Sequence, residues 1–64
     1  MENRIKELRK QMGLRQEDLA QQLGVTRQTI NAIENNKYNP TLELAMRLAR
    51  LLGQPVESIF HLED

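Results

Sequence analysis

The sequence predicts an all-α protein, a compact five-helix bundle, and three observations carry that expectation. Apolar residues recur at spacings of three and four through most of the chain. Gly13, Gly24 and Gly53 fall just past those stripes, where helices end. No segment alternates apolar and polar residues for long enough to make a sheet.

Asn3 is placed to cap a first helix, about residues 4 to 12, whose Ile5, Leu8 and Met12 share a face and which Gly13 ends. Leu19, Ala20 and Leu23 form the stripe of a second helix, about residues 16 to 23. Glu17 and Asp18 sit in its first turn, where the helix dipole favours acids, and Gly24 closes it. Thr26 caps a third helix that turns Ile30 and Ile33 inward. It ends at Asn35 and Asn36, because Asn is the side chain after Gly that best tolerates the left-handed conformation. The run "KYNP" reads as a loop. Thr41 caps a fourth helix carrying Leu42, Ala45, Leu48, Ala49 and Leu52, ended by Gly53. Pro55 at a first helical position and Glu57 begin a short fifth helix with Val56, Ile59 and Phe60.

A chain of 64 residues is expected to form one small domain, with no space beside it for a catalytic or effector-binding domain. A core this small commonly needs a disulfide, a metal or a partner subunit. With no Cys and a single His, the partner subunit is the option left. The lack of Cys suits a reducing cytosol, and Arg47 and Arg50 interrupt the richest apolar stretch before it nears the ~18 residues of a membrane span. The N-terminal "MENRIKEL" lacks the basic flank and apolar run of an export signal, so the expected location is the cytoplasm. Nine basic and nine acidic residues give zero formal charge, an awkward balance for a nucleic-acid partner. The distribution is less even than the sum: residues 4 to 37 hold seven Lys or Arg against four acids, and residues 38 to 64 hold two against four.

Two helices joined by a short turn containing Gly make a helix-turn-helix unit, here about residues 16 to 35. Ala20 gives the small contact that such a crossing needs, and Gly24 the left-handed turn. With Ile30 and Ile33 inward, the opposite face of the third helix carries Gln28, Asn31, Ala32 and Asn35, with Arg27 on its shoulder. Asn and Gln match adenine N6 and N7, Arg matches guanine O6 and N7, and a small side chain such as Ala permits close approach or meets a thymine methyl. A solvated polar face would look similar residue by residue. The joint spacing of Leu19, Ala20, Leu23, Gly24, Val25, Ile30 and Ile33 favours a helix aimed at a major groove.

The stretches "QEDLAQQLGVTRQTINAIE" and "NNKYNPTLELAMRLARLLG" resemble the Cro and phage-repressor-like family of regulators, also called the Xre family, over about residues 3 to 60. The resemblance implies a lambda-repressor-like fold and a dimer that binds double-stranded DNA at a pseudo-palindromic operator. It implies that Gln16 touches a phosphate and that Thr26, Arg27, Gln28, Asn31 and Ala32 face bases or groove walls. Asn36, Lys37, Tyr38 and Asn39 look like its second backbone clamp. It also implies a partly buried ion pair between Arg9 and Glu34, structural in role. Two positions depart from the pattern: Arg15 stands where Ser, Thr or Asn usually caps the second helix, and so is either tolerated or adds a phosphate contact, and Asn36 stands where Gly is common.

His61 has no second His, Cys or spaced carboxylate pair beside it and reads as a tail residue, not a metal ligand. Ser58 has no base in reach by pattern, and no Gly-rich phosphate loop is present, so neither catalysis nor a cofactor is expected. Leu44 and Leu51 read as core. Val56, Asn39, Pro40 and Phe60 are assigned to an isologous dimer contact, with the fourth and fifth helices, about residues 41 to 60, completing the core. The expected function is a sequence-specific transcriptional regulator, most simply a repressor. The alternative is an antitoxin or protein-binding module that uses the same face for another protein.

Overall fold

Helices of seven or eight residues are too short to persist alone in water, so most of this chain is ordered only by what it packs against. The computed structural model describes residues 1–63. Among them it forms β1 (Glu2–Asn3), α1 (Ile5–Gln11), α2 (Gln16–Leu23), α3 (Arg27–Glu34), α4 (Leu42–Leu52), α5 (Val56–Ile59) and β2 (Phe60–His61). The five helices surround one core whose innermost side chains, Ile5, Leu19, Ile30, Ile33, Leu48 and Ile59, come one or two from each helix and are almost wholly buried. Each such side chain contributes about 1.5–3 kcal/mol when removed from water.

The boundaries follow local chemistry. Thr26 and Thr41 cap α3 and α4, their Oγ1 atoms accepting the N–H of Thr29 and of Leu44, both at 3.2 Å. Gly24 adopts φ 71° after α2, which lets the Val25 N–H donate to the Ala20 carbonyl at 3.0 Å and turns the chain into α3. α3 ends the same way on a non-glycine. Asn36 takes φ 60°, its N–H reaches the Ile33 carbonyl at 3.1 Å, and the Lys37 N–H reaches the Ala32 carbonyl at 2.9 Å. This double bond pattern is the Schellman ending, and Asn supplies its left-handed residue.

The structure corrects the sequence reading at several points. β1 and β2 pair antiparallel, Glu2 opposite His61 and Asn3 opposite Phe60, so a small sheet exists where none was expected. Two-residue strands contain too little sequence to show a period. His61 belongs to that sheet rather than to a free tail. The pleat turns Phe60 inward, where it is 8% exposed, and His61 outward. Phe60 therefore fills the core of its own chain rather than a surface offered to a partner. α1 stops at Gln11, which leaves Met12 about half exposed instead of on the apolar stripe. Leu42, placed on the inward stripe of α4, is 74% exposed. Pro55 is extended, at ψ 155°, and precedes the first helical residue of α5 rather than occupying it.

Candidate nucleic-acid interface

Ile30 and Ile33 anchor α3 inward, each 1% exposed, and the helical repeat then fixes what the other side presents. Arg27, Gln28, Asn31 and Asn35 are exposed, and Ala32 is partly so. The side chains of Arg27, Gln28 and Asn31 hydrogen-bond to no other described residue, so their donors and acceptors are available to a ligand. Thr26 is exposed, but its hydroxyl already serves the cap and lies 3.0 Å from that of Thr29.

Behind this face α3 is held by a charged cluster. Arg9 Nε donates to Glu34 Oε2 at 2.7 Å and Arg9 Nη2 to Oε1 at 3.2 Å, a two-pronged contact from α1 to the end of α3. Arg9 Nη1 donates to the Leu14 carbonyl at 2.9 Å, which fixes the turn before α2. Both side chains are buried, 8% exposed for Arg9 and 3% for Glu34. Gln16 Nε2 completes the set by donating to Glu34 Oε1 at 3.0 Å. One of its amide hydrogens, expected to meet a phosphate, is thus spent inside the fold.

Arg15 is engaged as well. Its backbone N–H donates to Asp18 Oδ2 at 2.8 Å, giving α2 one arm of a capping box. The other arm cannot form, since a guanidinium has no acceptor for the Asp18 N–H. Instead the Arg15 side chain donates to both Asp18 oxygens, at 3.1 and 3.2 Å, and its Nη1 lies 2.9 Å from Glu17 Oε1. The hydrogen bond from Arg15, seconded by its backbone N–H, holds the Asp18 carboxyl below its ordinary range, and the same pairing raises Arg15.

The sites expected to act together are partly assembled. Gln16, Arg27, Gln28 and Asn31 line one shallow hollow. Lys10, Arg15, Gln16, Glu17 and Arg27 share the neighbouring one, where Lys10 and Arg27 make no ion pair among the described residues and Arg15 is paired with Glu17 and Asp18. Lys37, Tyr38 and Asn39 are exposed just past its other end. Asn36 is also exposed, with its Oδ1 accepting from Asn3 Nδ2 at 3.1 Å. Of the residues assigned to a dimer contact, Asn39 is exposed and Pro40 and Val56 are partly so, unlike Phe60.

A helix-turn-helix family model matches residues 5–59, which takes in every helix of this framework. The chain belongs to the Xre-like helix-turn-helix family. Among its Xre-like relatives is an uncharacterized HTH-type transcriptional regulator of Methanocaldococcus jannaschii, 52% identical over all of this chain and 97% of that protein. The uncharacterized HTH-type transcriptional regulator YgzD of Bacillus subtilis is 44% identical over all of this chain and 97% of its own length. The cryptic phage CTXphi transcriptional repressor RstR of Vibrio cholerae is 33% identical over 89% of this chain and 51% of that repressor. The family is one of transcriptional regulators, not of enzymes. Among the described residues no group of three or more His, Cys, Asp or Glu could hold a metal ion, and no helix is long and apolar enough to cross a membrane.

Two residues of this Xre-like site escaped sequence reasoning. Lys10 lies in the hollow with Arg15 and Arg27, and only its helical offset from the buried Arg9 hinted at that placement. Asn3 stands one residue before Arg4, the N-cap of α1, rather than at the cap where the sequence placed it, and its side chain works on both sides. Its Oδ1 accepts the Ile5 N–H at 3.1 Å while its Nδ2 donates to the Ile33 carbonyl at 2.8 Å, tying β1 to the end of α3. A link across thirty positions leaves no local signal in the sequence.

Proposed function

We propose that this chain regulates transcription by binding double-stranded DNA as a homodimer, with α3 of each subunit in the major groove of one half of a pseudo-palindromic operator. The observation that carries this reading is the unpaired, exposed set Arg27, Gln28 and Asn31 on a short helix braced from behind by Arg9, Glu34 and Gln16. Such tips discriminate bases by bidentate hydrogen bonds. Thr26 and Ala32 line the groove wall, and Lys10, Arg15, Gln16, Asn36, Lys37 and Tyr38 fix register on phosphates. A phosphate reaching Arg15 displaces it from Glu17 and Asp18. Asn39, Pro40 and Val56 are assigned to the two-fold contact. RstR, a relative named as a transcriptional repressor, makes repression the simplest mode of action.

Selection of bound sites from random duplex DNA tests this directly. The expected product is an inverted repeat whose half-sites lie about 34–36 Å apart, one helical turn. Recovery of unrelated sequences, or of a single asymmetric half-site, would contradict it.

Zero formal charge favours a second reading, in which the α3 face binds a protein, as in an antitoxin. DNA affinity that falls steeply with salt supports the first reading, because counterions are released with each phosphate contacted. Weak binding that does not depend on salt supports the second.

A further inference from the structure

α4 has an outward face that the DNA reading does not use. Leu42 is 74% and Met46 56% exposed, four positions apart and so on one stripe. They share a hollow with Glu43, Arg47 and Arg50, and the two arginines continue into the neighbouring hollow beside Gln22 and Leu51. Arg27, Gln28 and Asn31 line neither. Glu43 stands one turn before Arg47 and pairs with neither arginine, and among the described residues Arg47 and Arg50 make no ion pair at all.

We infer that this face of α4 docks an acidic amphipathic helix of another protein, Leu42 and Met46 receiving its apolar stripe and Arg47 and Arg50 its carboxylates. Single exposed apolar residues are ordinary. The difference here is an apolar pair bordered by two guanidinium groups, each able to bind a carboxylate in two-pronged fashion. Met adds a side chain that adapts its shape to a partner. Charge decides between occupants. A second copy joined face to face through this stripe brings four arginines and only two glutamates, the Glu43 pair, near one two-fold axis, and the surplus of like charge opposes that dimer. A phosphate backbone satisfies the arginines but leaves Leu42 and Met46 in water. A partner helix that is both acidic and apolar satisfies both. One helix face is small, so the complex belongs among weak, transient contacts, below about 1,200 Å² of buried surface. The inference does not depend on what α3 binds.

The test uses the full chain, isotope-labelled, and two synthetic helical peptides that differ only in carrying Glu or Lys beside the same leucine stripe. Addition of the Glu peptide is expected to shift amide resonances of residues 42–51 and leave those of 27–31 in place. The Lys peptide is expected to bind about tenfold more weakly or worse, as like-charge contacts require. A doubly charge-reversed variant, R47E with R50E, reverses the preference between the peptides. Both positions are exposed, and an otherwise unchanged spectrum shows that the variant is folded. Equal binding of the two peptides, shifts centred on α3, or shifts of residues 42–51 produced by raising the protein concentration alone would each overturn the proposal.

Discussion

Glu34 is the residue on which the site's geometry turns, because a buried carboxylate receives both prongs of Arg9 and the amide of Gln16. Glu34→Ala leaves the Arg9 guanidinium buried without its partner, and such a loss costs about 3–5 kcal/mol. Denaturant unfolding should register it in the midpoint. A double replacement, Arg9→Met with Glu34→Leu, recovers much of that stability, since no charge is left stranded. If the single and double variants were equally destabilised, the damage would lie in packing rather than in an orphaned charge. Asp18 gives a prediction of different form. Its folded carboxyl is held below its unfolded value by Arg15, so its contribution is complete at neutral pH and is lost as pH falls through about 4 and below. Asp18→Asn should therefore flatten the decline of stability in that acidic window and leave the rest of the profile unchanged. An unaltered acid limb in the variant would show that other carboxylates govern it. The sequence displayed the exposed tips of α3 directly, because they are what remains once Ile30 and Ile33 are turned inward. It did not display that Gln16 and Arg15 are already engaged by Glu34 and Asp18, since side-chain partners depend on rotamers that no periodicity encodes.

At the scale of elements, the turn from α2 into α3 depends on one left-handed residue. Beyond its two chain neighbours, no atom of the described residues lies within 4 Å of where a Cβ on Gly24 would project, so Gly24→Ala meets backbone strain alone, about 1–2 kcal/mol. Thr26→Ala removes the acceptor of the Thr29 N–H and costs about 1 kcal/mol, frayed at the end of α3 that carries Arg27 and Gln28. Thermal unfolding of the two variants checks both figures. A loss of several kcal/mol at Gly24 would contradict the open space around that position. Such punctuation made α2, α3 and α4 readable, as Gly24, Thr26, Thr41 and Gly53 each end or begin an element where the sequence placed them. The ends of the chain were less legible. A four-residue α5 and two-residue strands lack a repeat to count, and Phe60 looks the same in a list of apolar residues whether it fills its own core or a partner's surface.

For the molecule as a whole, β1 and β2 clasp the two ends of the described chain, reinforced by the Arg4 N–H donating to the Ile59 carbonyl at 2.8 Å. Asn3 extends that clasp to α3, so the C-terminal end of this helix is held twice, by Arg9 and Gln16 through Glu34 and by Asn3 through the Ile33 carbonyl. A rigid helix presenting nearly neutral tips has a defined consequence for binding. Phosphate contacts set affinity, and Lys37→Ala should weaken every duplex alike and lower the salt slope by about one unit. Base contacts set preference. The most direct measurement is the affinity of Gln28→Ala, relative to the unsubstituted protein, for the selected operator and for each of its single-base-pair variants. The account predicts a loss of about 1–3 kcal/mol on the operator, with discrimination relaxed at one position of each half-site and retained at the others. A uniform loss across all of these duplexes would contradict it.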